Sequence, residues 1–389
     1  AAGGTGPRGP HIRHCFMTAF AHALATGPEW KAVVAAVGDQ LPERDQFKGG
    51  LGMVYATESL APHFSDIVAT VRERTGVPHW VGCVGLGVCG TETEYHDEPA
   101  ISVLIAPWSS DDFRILDSVT SADAVSPALA SAWAKTHGPV FGMVHGDPRN
   151  HRLADIAEAL PTAGEGYFVG GLTCLSDELV QVADQPAAGG LSGALLSVAV
   201  PVMVALSQGC SPVGPLHRVS GCERSIIATL DDRPALDVLK EDVGEVLAKD
   251  LNRIGGYIHV AMPVTGSDTG DYTVRNLVGI DPNGGMLAIG ANIDIGDTIM
   301  FVRRDPSAAQ EDFSSRLTDL KKRIGDQPVR GGLFVSCVAR GANMFGESGQ
   351  EVAVIRDVLG EFPMTGFYAN GEICGNRMYG YTGVLSVFL

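Results

Sequence analysis

The sequence has no C-x-x-C pair, although its 389 residues include eight cysteines. These cysteines are scattered along the chain, without the paired spacing of a structural zinc site. Such a distribution is typical of reduced thiols in the cytosol and argues against a disulfide framework. The eight are Cys15, Cys83, Cys89, Cys174, Cys210, Cys222, Cys337 and Cys374.

Long apolar runs and basic residues are also scarce. The most apolar stretch, residues 191–206, is short for a membrane span and contains Gly193 and Pro201, so we expect buried strands there. Lysine and arginine total 28 against 45 acidic residues, which gives a formal net charge of −17. That charge repels phosphate backbones and anionic lipids. The composition therefore predicts no nucleic-acid or membrane partner.

Common catalytic motifs are missing as well. The sequence has no G-x-S-x-G elbow, no Walker loop and no H-E-x-x-H helix. Gly85 and Gly87 form a G-x-G after a predicted strand, but an acidic stretch follows where a dinucleotide-binding fold continues into a helix. Nucleotide binding is therefore disfavoured. A cysteine nucleophile with a distant histidine base stays open as an alternative.

What the sequence does contain is a repeat. Three segments read strand, loop, helix, strand and glycine-rich turn, and a glycine marks both strands of each. Gly52 and Gly82 are 30 residues apart, Gly142 and Gly170 are 28 apart, and Gly332 and Gly366 are 34 apart. Repeated units fix the architecture before any motif is interpreted. We predict an α/β (α+β) fold of two domains, with mixed, largely antiparallel sheets covered by helices.

Turn residues at 207–215 place the predicted domain boundary near residue 216. The predicted domains are 17–215 and 216–389, and residues 1–16 are expected to be a tag or a disordered start because they show no periodicity. Ligands of α/β proteins favour strand ends, where glycine lets backbone approach closely. We therefore predict a ligand cleft between the two domains.

Ordered motifs give a family resemblance. The runs SQGCSPVGP, DDRPALDVL, YTVRNLVGID, GDTIMFVRRD, FVSCVARG and FYANGEICG occur in that order, and VGCVGLGVCG followed by TETEYHDEPAISV precedes them. Together they resemble the paired N- and C-terminal modules of the FIST family over Met17 to Leu389. The resemblance implies a bacterial sensory protein of signal transduction that binds a small molecule, with amino acids as the expected ligands and no cofactor.

Some members of this family bind haem and report nitric oxide to a separate histidine kinase, so the resemblance also implies haem as an alternative cofactor and such a kinase as a partner. Any haem here would be non-covalent, because the sequence lacks C-x-x-C-H. The histidines considered as axial ligands are His96, His145, His217 and His259.

Two residues near the end of a predicted strand carry the main binding hypothesis. Cys337 lies three residues before Arg340, so thiol and guanidinium are expected to face one pocket. A neighbouring cation favours thiolate, and an arginine fork suits a carboxylate. The alternatives are a buried, inert thiol and an internal salt bridge.

Arg275 lies in the middle of a predicted strand and needs an acid or a ligand anion as its partner. Glu372 is its candidate partner, and the sequence leaves open whether the two pair with each other or face the cleft. Cys83 and Glu94 are predicted to contribute from the other domain. Cys83 and Cys89, with the acids and His96 that follow them, also suggest a metal site, but C-x5-C without a second matching pair lacks the usual spacing of structural zinc. The predicted ligand-binding set is Arg275, Cys337, Arg340, Asn343, Asn370, Glu372, Cys83 and Glu94.

Overall fold

The computed structural model describes residues 19–42, 46–47, 49–248, 254, 257–264 and 271–389. The predicted start, residues 1–16, lies outside them. The α-helices in this part of the chain are α1 (Trp30–Gln40), α2 (Phe64–Thr75), α3 (Val125–Leu129), α4 (Ala132–His137), α5 (Leu153–Gly164), α6 (Ala235–Ala248), α7 (Pro306–Ile324), α8 (Ala342–Phe345) and α9 (Gln350–Leu359), and short 3-10 helices span Glu58–His63 and Ala122–Ala124.

The strands before the chain's midpoint are β1 (Ala21–Thr26), β2 (Leu51–Thr57), β3 (His79–Gly85), β4 (Gly87–Gly90), β5 (Glu94–His96), β6 (Ala100–Ala106), β7 (Phe113–Val119), β8 (Phe141–Gly146), β9 (Tyr167–Leu172), β10 (Gln181–Ala183), β11 (Gln185–Ala187) and β12 (Leu191–Leu196). They continue as β13 (Val202–Gln208), β14 (Cys210–Pro212), β15 (His217–Glu223), β16 (Ile226–Leu230), β17 (Arg233–Pro234), β18 (Ile258–Pro263), β19 (Tyr272–Asp281), β20 (Met286–Ile289), β21 (Thr298–Arg304), β22 (Gly331–Cys337), β23 (Met364–Ala369), β24 (Glu372–Cys374), β25 (Arg377–Tyr379) and β26 (Thr382–Phe388).

Three sheets of the described chain share one plan. Their strand orders are β1-β6-β2-β3-β10-β11, β7-β12-β8-β9-β24-β25 and β13-β26-β22-β23-β4-β5. In each sheet the two central strands are parallel and joined through a helix, and the outer strands are antiparallel. The mixed α/β class and the repeated strand-helix-strand units predicted from the sequence are confirmed.

The plan defines three units: residues 21–106 form the first, 113–196 the second, and 202–208 with 306–388 the third. Each unit donates the hairpin after its second central strand to a neighbour's sheet. The first donates β4-β5 to the third, the third donates β24-β25 to the second, and the second donates β10-β11 to the first. The three units are therefore closed into a ring by exchanged strands.

One glycine in each unit permits this packing. A Cβ atom at Gly82, Gly170 or Gly366 would lie 1.7–1.8 Å from the carbonyl oxygen of the facing parallel strand. No other residue fits so close to backbone. These are the second glycines of the three repeats found in the sequence, and Val54, Val144 and Phe334 supply the facing oxygens.

A β-barrel is inserted into the third unit, between β13 and α7. Seven of its strands follow the order β14-β21-β15-β16-β20-β19-β18, β17 pairs with β16, and β18 pairs back to β21. Its interior is apolar, with Leu230, Ile258 and Phe301 fully buried, and α6 belongs to the same core. Residue 216 lies inside this barrel, between β14 and β15.

The core joins all three units. Met53, Met143 and Val335 lie in one buried cluster, each from a first central strand. Helices cover the outer faces of the sheets, where separate apolar clusters form under α1 and α2, under α5, and under α7 and α9. None of the helices in the described ranges has the length and apolar character needed to cross a bilayer.

Candidate functional site

A cleft of about 800 Å³ lies between the barrel and the strand ends of the third unit. The barrel contributes β19, the third unit contributes the ends of β22 and β23 together with the turn before β26, and α5 of the second unit closes one side. Polar and titratable side chains in its lining include Arg275, Asn276, Cys337, Asn370, Tyr379, Tyr381 and His151.

Arg275 is the cationic group of this lining. Its Nη1 donates to the carbonyl of Val274 at 2.9 Å and its Nη2 to the carbonyl of Met378 at 3.3 Å. Burial lowers the pKa of the guanidinium, and within the described residues no carboxylate forms a salt bridge with it. A half-buried guanidinium without a carboxylate partner is suited to bind an anion.

Cys337 ends β22 at the floor of the cleft and is 4% exposed. Its thiol interacts with the carboxyl group of Glu372 and with the backbone N–H groups of Ala339 and Tyr381. Burial, followed by the nearby Glu372, raises the pKa of the thiol well above its usual value. Cys337 is therefore a protonated thiol at rest.

Glu372 lies behind this thiol and is fully buried. Its carboxylate accepts hydrogen bonds from Thr382 Oγ1 at 2.8 Å, from the Thr382 N–H at 3.2 Å and from the Gly371 N–H at 3.2 Å. Burial outweighs these bonds and raises the pKa of Glu372 to about 7. A carboxyl that changes charge near neutrality thus lies behind the cleft lining, next to the Cys337 thiol.

Tyr381 supplies one of the two backbone N–H groups that interact with the Cys337 sulfur. Its φ of 64° lies in the left-handed region, which is unusual for a bulky residue. The hydroxyl of Tyr381 donates to Asn276 Oδ1 at 2.7 Å, and its ring packs on His259 with centroids 4.6 Å apart. These contacts hold a strained backbone in place, and such strain clusters at functional sites.

Only the third unit combines these groups. Cys337 follows the first repeat glycine of its unit by five residues, and Glu372 opens the hairpin donated to the next sheet. The register places Thr57 and Val88 at the corresponding positions of the first unit, and Asp147 and Gln181 at those of the second. The first and second units therefore adopt the same plan without a thiol–carboxylate pair.

The buried carboxyl predicts a pH-dependent stability. Unfolded Glu372 ionises near 4.5, whereas the folded protein keeps its proton to about pH 7, so this residue's contribution to stability is lost as pH rises between those values. Glutamine does not ionise, so Glu372→Gln should not lose stability in this way as pH rises. Urea denaturation across this range should show the variant gaining about 3 kcal/mol relative to wild type.

Glu73→Gln is the matched control, because Glu73 is exposed on α2. It should not reproduce the gain in stability of Glu372→Gln, because this substitution lies at the surface. A difference between Glu372→Gln and wild type that is constant from pH 4.5 to pH 7 would contradict the buried, proton-binding carboxyl.

Several predicted site residues lie elsewhere. Arg340 is a correction: it is fully buried and its Nε donates to Glu351 Oε1 at 2.8 Å, so it forms the internal salt bridge and not a ligand fork of the cleft. Asn343 donates its side-chain amide to the Val338 carbonyl and is outside the cleft lining. Asn370 lies in the lining.

The two residues predicted from the other domain are also corrected. Cys83 is fully buried in the central core, where apolar packing accounts for it. Glu94 is buried on β5, where it accepts from the Tyr368 hydroxyl and lies 3.4 Å from His96 Nε2. The structure gives neither residue a place in the cleft lining.

The proposed pairing of Arg275 with Glu372 does not form. Arg275 is bonded to backbone carbonyls, and the hydrogen-bond partners of Glu372 are neutral. Of the two, Arg275 lines the cleft, whereas Glu372 reaches it only through Cys337.

The four histidines considered for haem lie in four separate environments. His96 is beside Glu94, and His145 bonds the Tyr55 hydroxyl at 3.1 Å. Both ring nitrogens of His217 meet carboxylates, at 2.6 and 2.8 Å.

Burial lowers the pKa of His145 to about 3, and burial together with the nearby Arg304 lowers the pKa of His259 to about 4. In the described residues no group of three His, Cys, Asp or Glu side chains is placed to hold a metal ion.

The structure is therefore that of an α/β protein of interlocked units, with a cleft between the barrel and the third unit. A FIST N domain family model matches residues 50–233, and a FIST C domain family model matches residues 235–375. The chain therefore belongs to the FIST family, whose domains are regarded as sensory domains of signal transduction.

The chain is also similar to uncharacterised mycobacterial proteins. It is 29% identical to Rv0628c of Mycobacterium tuberculosis over 387 residues, covering 94% of this chain and 98% of the relative. It is 28% identical to Mb0898c of Mycobacterium bovis over 391 residues, covering 94% of this chain and 97% of the relative.

Proposed function

We propose that this protein senses a small carboxylate-bearing metabolite, such as an amino acid or a related organic acid, bound in the cleft between the barrel and the third unit. One observation carries the proposal. Arg275 presents a half-buried guanidinium to the cleft, its described acceptors are two carbonyl oxygens, and no described carboxylate neutralises it. A bound carboxylate would supply the missing charge with two parallel hydrogen bonds.

The output of such a sensor is a change in contacts with a separate signalling protein, for which a histidine kinase is our candidate. The cleft is built from three parts of the fold: the barrel, the third unit and α5 of the second unit. Ligand contacts to all three parts would favour their closure, which is how a ligand shifts a population. We place the protein in the cytosol, since the cysteines of the described ranges are all free thiols.

Thermal-shift and calorimetric titration with amino acids and organic acids test the proposal. An acid present at one hundred times its Kd should raise stability by about 2.7 kcal/mol, and its neutral amide should have no effect. Arg275→Ala should weaken binding of that acid roughly 10- to 100-fold, because a hydrogen bond to a charged group contributes about 1.5–3 kcal/mol. The affinity of Arg275→Lys for the acid should lie between those of wild type and Arg275→Ala, since an ammonium is charged but lacks the planar fork of a guanidinium.

Arg114→Ala is the matched control, because Arg114 is an exposed strand arginine in β7, outside the cleft lining. It should bind the acid as wild type does. Undiminished affinity in Arg275→Ala, or stabilisation by none of the acids, would refute the proposal. An absorption spectrum recorded first decides the alternative cofactor, because a Soret band would favour a haem sensor instead.

A further inference from the structure

The floor of the cleft combines a nucleophilic atom, a proton acceptor and a nearby cation. The sulfur of Cys337 and the guanidinium of Arg275 line the same 800 Å³ space. Glu372 is fully buried behind the lining and interacts with this thiol. The backbone N–H groups of Ala339 and Tyr381 interact with the sulfur as well and would stabilise negative charge on it.

The fold does not need this pair. A buried carboxylate with neutral partners is costly, and the equivalent strand ends of the other units do without it. The tyrosine that supplies one N–H to the sulfur does so from strained backbone. Cost and strain at the lining of a cavity are features of a site that performs chemistry.

We propose that Cys337 is a nucleophile and Glu372 its proton acceptor, and that together they capture a 2-oxo acid in the cleft as a reversible covalent adduct. The inference rests on the proposed function, because Arg275 holds the carboxylate of the same ligand. A 2-oxo acid fits because it places an electrophilic carbonyl carbon directly beside a carboxylate.

The step balances without a further reactant. The sulfur of Cys337 forms a bond to the carbonyl carbon, and its S–H bond breaks as the proton moves to a Glu372 carboxylate oxygen. The electron pair of the carbonyl π bond goes to the carbonyl oxygen, which then takes the proton from Glu372. The product is a hemithioacetal or hemithioketal that keeps the negative charge of the ligand's carboxylate. Nothing is oxidised or reduced, and the reverse sequence releases the ligand unchanged.

Two alkylating probes test the nucleophile and the cation together. Iodoacetate carries the carboxylate that Arg275 should hold, whereas iodoacetamide is its neutral analogue. In each case sulfur displaces iodide and the thiol proton passes to Glu372. Cys222 on the barrel serves as an internal reference, since it is a partly exposed free thiol outside the cleft lining. Peptide mass spectrometry measures the modification rate at both cysteines in one sample.

At Cys337 we expect iodoacetate to react faster than iodoacetamide, although a net charge of −17 repels the anionic reagent. At Cys222 the order should be reversed. Arg275→Ala should abolish the preference for iodoacetate at Cys337 while leaving the thiol reactive. Glu372→Gln should slow both reagents at Cys337 by roughly 100-fold, since a positioned proton acceptor contributes 10²–10⁴, and leave Cys222 unaffected.

Glyoxylate labelled with ¹³C at its aldehyde carbon then tests the adduct without relying on Glu372→Gln. Wild-type protein should show a new protein-bound ¹³C resonance for a carbon attached to sulfur, which gel filtration removes. Cys337→Ser should lack that resonance, and unlabelled glyoxylate should protect Cys337 but not Cys222 from alkylation.

The inference is overturned if Cys337 stays unmodified in folded protein while Cys222 is fully labelled, or if Cys337→Ser retains the bound resonance. Either result leaves the proposed function standing as long as Arg275→Ala still weakens acid binding. Loss of the Arg275 dependence alone would refute the proposed function and leave the nucleophile in place.

Discussion

Replacing Gly366 by alanine is expected to lower the free energy of unfolding by about 3 kcal/mol or more. The added Cβ would lie 1.8 Å from the Phe334 carbonyl oxygen, inside a parallel strand pair in the interior of a sheet. Overpacking costs about 1–3 kcal/mol even where side chains can move aside. Here the obstructing atom is backbone, so relief requires the two strands to separate. Urea denaturation followed by circular dichroism measures the loss.

The three-unit architecture extends this expectation. Gly82→Ala and Gly170→Ala should be as damaging, because their Cβ atoms would meet equivalent carbonyl oxygens at 1.8 and 1.7 Å. Gly279→Ala is the control, since its Cβ would have only Ala288 Cβ as a neighbour, at 3.4 Å, and its effect should stay below about 1 kcal/mol. Equal stability of Gly366→Ala and Gly279→Ala would show that the strand crossing tolerates a side chain.

Breaking the buried salt bridge of the third unit should cost about 3–5 kcal/mol, because the remaining charge stays buried without its partner. Glu351 is 1% exposed and accepts hydrogen bonds from Arg340 Nε, from Ser336 Oγ at 2.8 Å and from the Gly341 N–H at 3.2 Å. Arg340 is fully buried, with its guanidinium over the ring of Phe313. Arg340→Met therefore leaves a buried carboxylate uncompensated. Thermal and urea unfolding provide the measurement.

An exposed pair gives the matched comparison. Arg233 and Glu241 are joined at 2.7 Å, but their side chains are 54% and 65% exposed. Arg233→Met should change stability far less than Arg340→Met does, because solvent screens an exposed pair. The double variant Arg340→Met with Glu351→Leu should recover part of the loss, since no unpaired charge remains. If Arg340→Met proved as stable as Arg233→Met, the prediction would be wrong, and solvent would have to reach the pair of Arg340 and Glu351.

The repeat could be predicted from the sequence because close strand crossings impose glycine at fixed intervals. Gly82, Gly170 and Gly366 mark the same crossing in three units, so their spacing indicated the architecture. The exchange of hairpins left no such mark. Cys89 pairs with Gly366, which lies 277 residues further along the chain, and a pattern of alternating residues does not specify a partner that far away.

Sequence reasoning also reached some of the residues that line this cleft. Arg275, Cys337 and Asn370 line one cleft, and strand ends with glycine-rich turns pointed to two of them. The sequence places Arg340 and Arg275 equally well as ligand forks, because it does not show that Glu351 reaches Arg340 and that no described acid reaches Arg275. Sequence reasoning missed Tyr381, because a positive φ at a tyrosine cannot be inferred from the residue type. Its position between Gly380 and Gly383 indicated only a short turn.

The exchange of hairpins also constrains how such a gene can change. Deleting the second unit would take β10 from the edge of β3 and leave β24 without β9, so one excision damages two sheets. We therefore expect the three units to be retained or lost together, as the protomers of a fused trimer would be. Insertions should be tolerated best at connections outside the ring. The barrel lies at such a connection, between β13 and α7, and it forms one wall of the cleft.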